Sequence, residues 1–216
     1  MKVFEHDFNI PPWPCSVIVN YSMAWIKANN ITTVNECNTA ILCAWNPPLE
    51  GWIKLNVDGG RSSDLGVITA GGVLRDHSRN WLGGFGARKG IGSVLEAELW
   101  GLRKGLKTTR DRGFRRVIVE TNSMAVVDVL KKRVAPNHLI FRLIDHCQNL
   151  IFDESWNCRL LHIFRECNRL ADSLSKMGKD MELGILFFEE PPPLVMKFFL
   201  EDVEGTAVPR HKLPLI

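Results

Sequence analysis

The hydrophobic and polar positions after residue 50 first follow the two-residue period that is typical of β-strands. Apolar residues alternate or cluster over residues 53–58, 66–75 and 81–87, and a turn-forming stretch at 76–80 separates the second run from the third. Three strands joined by short links favour an antiparallel meander. These runs are therefore the predicted first half of a sheet.

Helical periodicity begins at Ser93. A helix is predicted over residues 93–112, because Ser93 and Glu96 have the spacing of a capping box and Gly113 stands where helices end. The remaining pattern predicts a buried strand at 117–119, helices at 123–132 and 137–150, a strand at 160–164 and a helix at 168–177. This order predicts an α/β fold with a mixed five-stranded sheet, three antiparallel strands and then parallel strands, and helices on both faces.

The two flanks of this pattern are less regular. We expect an N-terminal extension at residues 1–49 with a short helix at 16–29, a domain at 50–180, and an irregular, proline-containing tail at 181–216. The Asn46-Pro47-Pro48 stretch predicts the first boundary. Two Phe pairs, at 187–188 and 198–199, are too apolar for a free tail, so we expect the tail to dock partly on the domain.

Composition narrows the class of protein only slightly. Lys and Arg total 27 against 24 Asp and Glu, and this net charge of +3 permits nucleic-acid binding without indicating it. The six cysteines form no C-x-x-C pair, which favours reduced thiols over disulfides or a zinc site. With no signal peptide or long apolar run in the sequence, we expect a soluble, intracellular protein without a membrane partner, in the nucleus or the cytoplasm.

Glu98 is a carboxylate among apolar positions. On the predicted helix it lies three residues after Leu95 and four before Leu102, so it belongs to the face that should meet the sheet. A buried, unpaired carboxylate is costly, and a metal ion or a basic partner would remove that cost. The alternative is a glutamate at the edge of the apolar face that reaches solvent.

Three further polar side chains could meet Glu98. Asp58 and Asn122 each end a predicted strand, and if the two strands are parallel neighbours both side chains lie at the same sheet edge, where α/β folds bind ligands. Asp172 lies in the first turn of the last helix. An acid there is also favoured by the helix dipole alone. The four positions together predict an oxygen-rich site.

Five segments in register carry a resemblance to a known family. They are Lys54-Leu55-Asn56-Val57-Asp58-Gly59-Gly60, Gly71-Gly72-Val73-Leu74-Arg75-Asp76, Leu95-Glu96-Ala97-Glu98-Leu99-Trp100-Gly101-Leu102, Val117-Ile118-Val119-Glu120-Thr121-Asn122-Ser123 and Arg165-Glu166-Cys167-Asn168-Arg169-Leu170-Ala171-Asp172-Ser173-Leu174. With them the chain resembles the ribonuclease H fold family, specifically the reverse-transcriptase-like domains abundant in plant genomes and their non-LTR retrotransposons. The resemblance covers residues 45–178.

The resemblance implies hydrolysis of the RNA strand of an RNA–DNA hybrid at a two-magnesium site, with Mn²⁺ as a possible substitute. The implied catalytic residues and metal ligands are Asp58, Glu98, Asn122 and Asp172. Asp58 would bridge both ions, Glu98 would serve one of them, and Asp172 would hold the other. The family has a further carboxylate where this chain has Asn122.

The amide of Asn122 leaves the implied site with three formal negative charges instead of four. Because Mg²⁺ sites bind largely through carboxylate charge, the second ion should bind weakly and activity should fall severely. Two hypotheses follow. Either the chain is an impaired ribonuclease H-type nuclease, or it is a retrotransposon-derived module that binds nucleic acid without cleaving it.

For the RNA–DNA hybrid we expect contacts from two places. The backbone of Gly59 and Gly60 is a candidate for the 2′-hydroxyl groups, and Arg115 and Arg116 are candidates for phosphates, although such arginines are also common as solvated residues near helix ends. His162 precedes Asp172 by ten residues, and for it a structural role is favoured over a role in product release. We expect a monomer.

Overall fold

A computed structural model describes residues 41–132, 135 and 139–210. A mixed sheet lies at the centre, with a two-stranded ribbon beside it. The strands are β1 (Leu42–Cys43), β2 (Ile53–Arg61), β3 (Val67–Arg75), β4 (Trp81–Ile91), β5 (Arg116–Thr121), β6 (Asn157–His162), β7 (Gly184–Phe188) and β8 (Val208–Pro209). The helices are α1 (Val94–Asp111), α2 (Met124–Lys131), α3 (Phe141–Ile151), α4 (Arg169–Met177) and α5 (Met196–Glu204).

The central sheet has the strand order β6-β5-β2-β3-β4-β7, and β1 pairs separately with β8. Strands β2, β3 and β4 form the predicted antiparallel meander, and β5 and β6 add to it in parallel. The mixed α/β architecture is thus confirmed. The prediction of five strands is one too few for the central sheet, because β7 adds a sixth strand that pairs antiparallel with β4 at the edge.

Helix α1 packs very closely on one face of the sheet. Ser93 and Glu96 form the predicted capping box at its start, and Gly113 has a left-handed φ of 82° just after its end. Its glycines allow the close approach, since a Cβ on Gly101 would lie 2.9 Å from the Cβ of Ala70. The main core lies between this helix and the sheet, with Leu55, Leu99, Leu102, Leu106, Val117, Val119 and Ile144 at its centre.

Helix α4 packs on the opposite face. Leu170 and Leu174 contact Val73 of β3, and Val195, at the end of a single 3₁₀ turn, completes this second core. Helices therefore cover both faces, as the pattern predicts. None of the helices in the described ranges is both long and apolar enough to cross a membrane.

The expectation of an irregular tail after residue 180 is wrong. The segment contains β7 and α5. The Phe pairs dock as expected, since the ring centres of Phe187 and Phe85 lie 6.3 Å apart. The ring of Phe199 meets that of Trp81 edge-on, with 5.7 Å between the ring centres. The prolines misled the prediction, because they stand just before α5 and in its leading 3₁₀ turn, where proline starts rather than breaks a helix.

The predicted domain start at residue 50 lies too late in the sequence, because Trp45 belongs to the core of the domain. Trp45 is buried, its indole nitrogen donates to Asn56, and the Arg75 guanidinium stacks 3.5 Å from its ring centre. The helix predicted at 16–29 lies outside the described residues. The helix predicted at 137–150 corresponds to α3, although its predicted start also lies outside the described residues. Strand β6 begins three residues earlier than predicted and ends before Phe164.

Candidate active site

The parallel pairing of β2 and β5 brings Asp58 and Asn122 together. The paired register ends at Val57 opposite Thr121, so Asp58 and Asn122 are the next residues on the two strands. Strand β2 does not end at Asp58 as predicted but continues to Arg61, paired only with β3. Asp58 therefore lies where β2 and β5 cease to pair, at the carboxyl ends of the two parallel strands. This is the edge of the sheet at which α/β folds bind ligands.

Glu98 faces the same edge from α1. Only 6% of the surface of Glu98 is exposed, so the alternative of a glutamate that reaches solvent is wrong. Gly59 makes this placement possible, because a Cβ there would lie 2.3 Å from the backbone nitrogen of Glu98. The Gly59 amide donates a hydrogen bond to the Glu98 carboxylate, while the Glu98 Oε2 atom is buried without a hydrogen-bond partner.

Burial raises the pKa of both carboxyls. The pKa of Asp58 rises to about 7, first because it is desolvated and then because Asp172 repels it. The pKa of Glu98 rises to about 8, again through burial and then through repulsion by Asp58. Two neighbouring acids with raised pKa values are a frequent mark of a functional site, and a cation would stabilise both charged forms.

Asp172 reaches this edge from the first turn of α4, with basic residues on both sides. Its Oδ1 accepts from Arg165 at 3.0 Å and its Oδ2 from Lys176 at 2.5 Å. Both partners are mostly exposed, at 70% and 61% of their side-chain surface. Such ion pairs are weak and easily exchanged, so Asp172 could exchange them for another cation.

A cleft of about 290 Å³ opens above these groups. Besides the predicted residues it is lined by basic and hydroxyl side chains, namely Arg61, Thr69, Arg165, Ser175, Lys176 and Lys179. Gly60 also lines it. The cleft thus combines buried carboxylates at its base with exposed positive charge at its rim, which suits a phosphate-bearing ligand.

The side chain of Asn122 is held by Asn168, which is 1% exposed and stands at the N-cap position of α4 without a capping hydrogen bond from its side chain. Asn168 donates from Nδ2 to Asn122 Oδ1 at 2.7 Å and to the Val57 carbonyl at 2.9 Å. Asn56 donates in turn from Nδ2 to the side-chain oxygen Oδ1 of Asn168 at 3.2 Å. A buried polar network therefore reaches from the interior of the sheet to Asn122.

The residues present fit a divalent cation only in part. The unpartnered Glu98 Oε2 and the raised pKa values favour a cation at Asp58 and Glu98. Asp172 is engaged by basic side chains, and the Asn122 oxygen is engaged by Asn168. Within the described residues, no three His, Cys, Asp or Glu side chains form a group that could hold a metal ion as it stands.

Two predicted phosphate contacts lie elsewhere. Arg115 and Arg116 stand at the start of β5, so a strand of six residues, about 17 Å long, separates them from Asn122. Arg115 contacts backbone carbonyls of its own turn instead. His162 is beside the site, with its Nε2 atom 3.3 Å from the carbonyl oxygen of Asn122.

Among the site residues that sequence reasoning missed, Asn168 and Lys176 could have been found from their spacing to Asp172. Asn168 precedes Asp172 by four residues and Lys176 follows it by four, so all three lie on one side of α4. Arg165 belongs to the 3₁₀ turn that leads into this helix. It donates to Asp172 across that turn.

The strand order, the crossing of α1 at Gly59 and the acids at this edge define the ribonuclease H fold. Ribonuclease H1 of Halobacterium salinarum NRC-1 shares the fold, with a TM-score of 0.54, 23% identity, and coverage of 60% of this chain and 98% of its own. LC11-RNase H1 in complex with an RNA/DNA hybrid superposes with a TM-score of 0.54 and 25% identity, over 59% of this chain and 96% of its own.

Sequence comparison identifies the family. Residues 56–178 match the reverse transcriptase-like family. The Arabidopsis thaliana protein named "Putative ribonuclease H protein At1g65750" is 33% identical over 185 residues, which are 86% of this chain and 30% of that protein. The chain belongs to the reverse transcriptase-like, ribonuclease H-like family, and it spans about a third of the length of this relative.

Proposed function

We propose that this domain binds RNA–DNA hybrids and hydrolyses their RNA strand at a low rate. The observation that carries the proposal is the pair of buried acids, Asp58 and Glu98, at the base of a cleft with a basic rim. The unpartnered Glu98 Oε2 supports a cation there. The hybrid in the LC11-RNase H1 complex is a ligand of that protein, and it supports the same class of ligand here.

Divalent cations, when bound, would supply an activated water and charge stabilisation at the leaving 3′ oxygen. Asp58 and Glu98 would hold a cation between β2 and α1. Asp172 would become a ligand for a second cation only after Arg165 and Lys176 release it. Because Asn122 adds no charge, two divalent ions would face three carboxylates, which explains the low rate that we propose.

The rim of the cleft would bind the sugar–phosphate backbone. Arg165, Lys176 and Lys179 present positive charge beside the acids, where phosphate contacts would set affinity and register. The backbone at Gly60, which also lines the cleft, could approach the 2′-hydroxyl groups of the RNA strand. Arg115 and Arg116 are not among the residues that line this cleft.

The test is cleavage of a labelled RNA–DNA hybrid in Mg²⁺ and then in Mn²⁺. Slow cleavage by the native chain, lost in Asp58→Asn and increased in Asn122→Asp, is the expected result. Asparagine is nearly isosteric with aspartate, so a lack of cleavage by Asp58→Asn would result from the missing charge rather than from misfolding. Cleavage that survives Asp58→Asn would contradict the proposal.

A second candidate is a nucleic-acid-binding module without hydrolytic activity. The engagement of Asp172 by Arg165 and Lys176 favours it, because the acid is then already neutralised. Under this alternative, hybrid binding persists while both the native chain and Asn122→Asp remain silent in either metal. A native chain that binds no hybrid would contradict both candidates.

A further inference from the structure

The orientation of the Asn122 carboxamide at the base of the site is set by a series of hydrogen bonds between buried residues. Trp45 and Arg75 can only donate hydrogen bonds, and both donate to Asn56 Oδ1, at 3.0 and 2.8 Å. The Asn56 oxygen is thereby identified. Its Nδ2 must face acceptors, and it donates to Glu120 Oε2 at 2.9 Å and to Asn168 Oδ1 at 3.2 Å.

Asn168 is fixed independently by the backbone. Its Nδ2 lies 2.9 Å from the Val57 carbonyl oxygen, which can only accept. A flipped Asn168 would place two oxygens in contact there and would also lose its bond from Asn56. Because the residue is buried, such a flip leaves unsatisfied polar atoms and is strongly disfavoured.

The direction of Asn122 follows from that of Asn168. Its Oδ1 accepts from Asn168 at 2.7 Å, so its NH₂ group points to the other side of the carboxamide. Asp58 follows Val57 and Asn122 follows Thr121 in the paired register, so the two side chains are neighbours, and the amide lies close enough to lower the pKa of Asp58. The atom that could bind a cation thus faces the protein interior, and the atom that faces Asp58 repels cations.

We propose that Asn122 is a positioning residue that donates a hydrogen bond to Asp58, and that the site consequently takes one divalent cation, at Asp58 and Glu98. The statement about the cation rests on the proposed function, whereas the direction of the amide does not. An aspartate at position 122 could keep the bond from Asn168 while turning a charged oxygen towards Asp58. Native Asn122 instead holds Asp58 in place without a cation.

The first test titrates the folded chain with Mn²⁺ and measures free Mn²⁺ by electron paramagnetic resonance. We expect one site per chain. Because the Asn122 amide adds no charge, Asn122→Asp should bind Mn²⁺ about tenfold more tightly, the scale on which changes around a metal alter affinity. Two equivalent native sites, or an unchanged Mn²⁺ affinity in Asn122→Asp, would overturn the proposal.

The second test needs no cation. In chelator, the side-chain NH₂ resonances of Asn122 should move in Asp58→Asn, because the bond loses its charged acceptor. Asn149 is the internal control, since its Nδ2 donates to Asp145 at 3.2 Å on the exposed side of α3 and its resonances should not move. Unchanged Asn122 resonances would overturn the proposed donor role. Neither test uses a hybrid, so both remain decisive if the chain neither binds nor cleaves one.

Discussion

The buried guanidinium of Arg75, the last residue of β3, forms an ion pair with the carboxylate of Asp202 on α5 at 2.5 Å. Arg75 is 1% exposed, and Asp202 lies beyond residue 178, where the match to the family ends. Arg75 also stacks on Trp45, which precedes the match, and it donates to Asn56. Segments on both sides of the matched region therefore satisfy one buried charge, and through Asn56 they contribute to the position of Asn122.

Asp202→Ala should destabilise the protein strongly, because it leaves the Arg75 charge buried without its partner. Losing one member of a buried ion pair costs about 3–5 kcal/mol of unfolding free energy. The measurement is equilibrium unfolding in urea. Glu204→Ala, at an exposed position near the end of the same helix, is the matched control and should change stability by less than about 0.5 kcal/mol. Equal stability of the two variants would show that Asp202 does not neutralise Arg75.

The parts of the site that could be predicted from the sequence are those fixed by regular geometry. Helical periodicity places Glu98 on the buried face of α1, and the carboxyl ends of parallel strands place Asp58 beside Asn122. The capping box at Ser93 is likewise a local pattern with a local cause. In each case, the regular geometry of one helix or of one pair of strands was enough.

The parts that escaped prediction depend on contacts between distant segments. Asn168 reads as an ordinary residue before a helix, and its role appears only when Val57 and Asn122 lie beside it. The tail was misjudged for the same reason, because β7 pairs with β4 across about a hundred residues of sequence. The direction of the Asn122 amide depends on Asn168, so the spacing of residues along the sequence could not predict it.

Gly59→Ala should be far more damaging than its small size suggests. The added Cβ would lie 2.3 Å from the Glu98 nitrogen, and the clash is with helix backbone that has no freedom to rotate away. Overpacking of this kind costs about 1–3 kcal/mol, and α1 must shift together with Glu98. Thermal and urea unfolding would measure the loss.

Gly90→Ala is the control for that substitution. Gly90 lies near the end of β4, and a Cβ there would meet nothing within 4 Å. Its unfolding free energy should change by less than about 1 kcal/mol. If Gly59→Ala were as stable as Gly90→Ala, α1 would not cross β2 as closely as the structure describes.

Without divalent cations, the acids at the site should make the protein less stable as pH rises. The folded-state pKa values of Asp58 and Glu98, about 7 and about 8, lie above the unfolded values of about 4, so the folded state binds more protons between these limits. Their contribution to stability is complete below pH 4 and is lost as pH rises through 7 and 8. Urea unfolding in chelator from pH 5 to pH 9 (about the range that brackets the shifts) measures this slope.

Asp58→Asn and Glu98→Gln should each flatten that slope, because each removes one shifted group. Asp64→Asn, in the exposed turn between β2 and β3, should leave it unchanged. Adding Mg²⁺ at high pH should restore stability to the native chain, since a cation favours the ionised acids. A native slope that both variants retain would show that the two carboxyls are not responsible for it.

Arg165→Ala should weaken hybrid binding and reduce its dependence on salt. Arg165 stands at the rim of the cleft with 70% of its side chain exposed, where it can exchange Asp172 for a phosphate. Loss of one phosphate contact lowers the slope of log affinity against log salt by about 0.9. Arg115→Ala, at the other end of β5, is the matched control and should leave both affinity and slope unchanged. The opposite result, with Arg115 important and Arg165 neutral, would place the nucleic acid at the start of β5 and away from the acids.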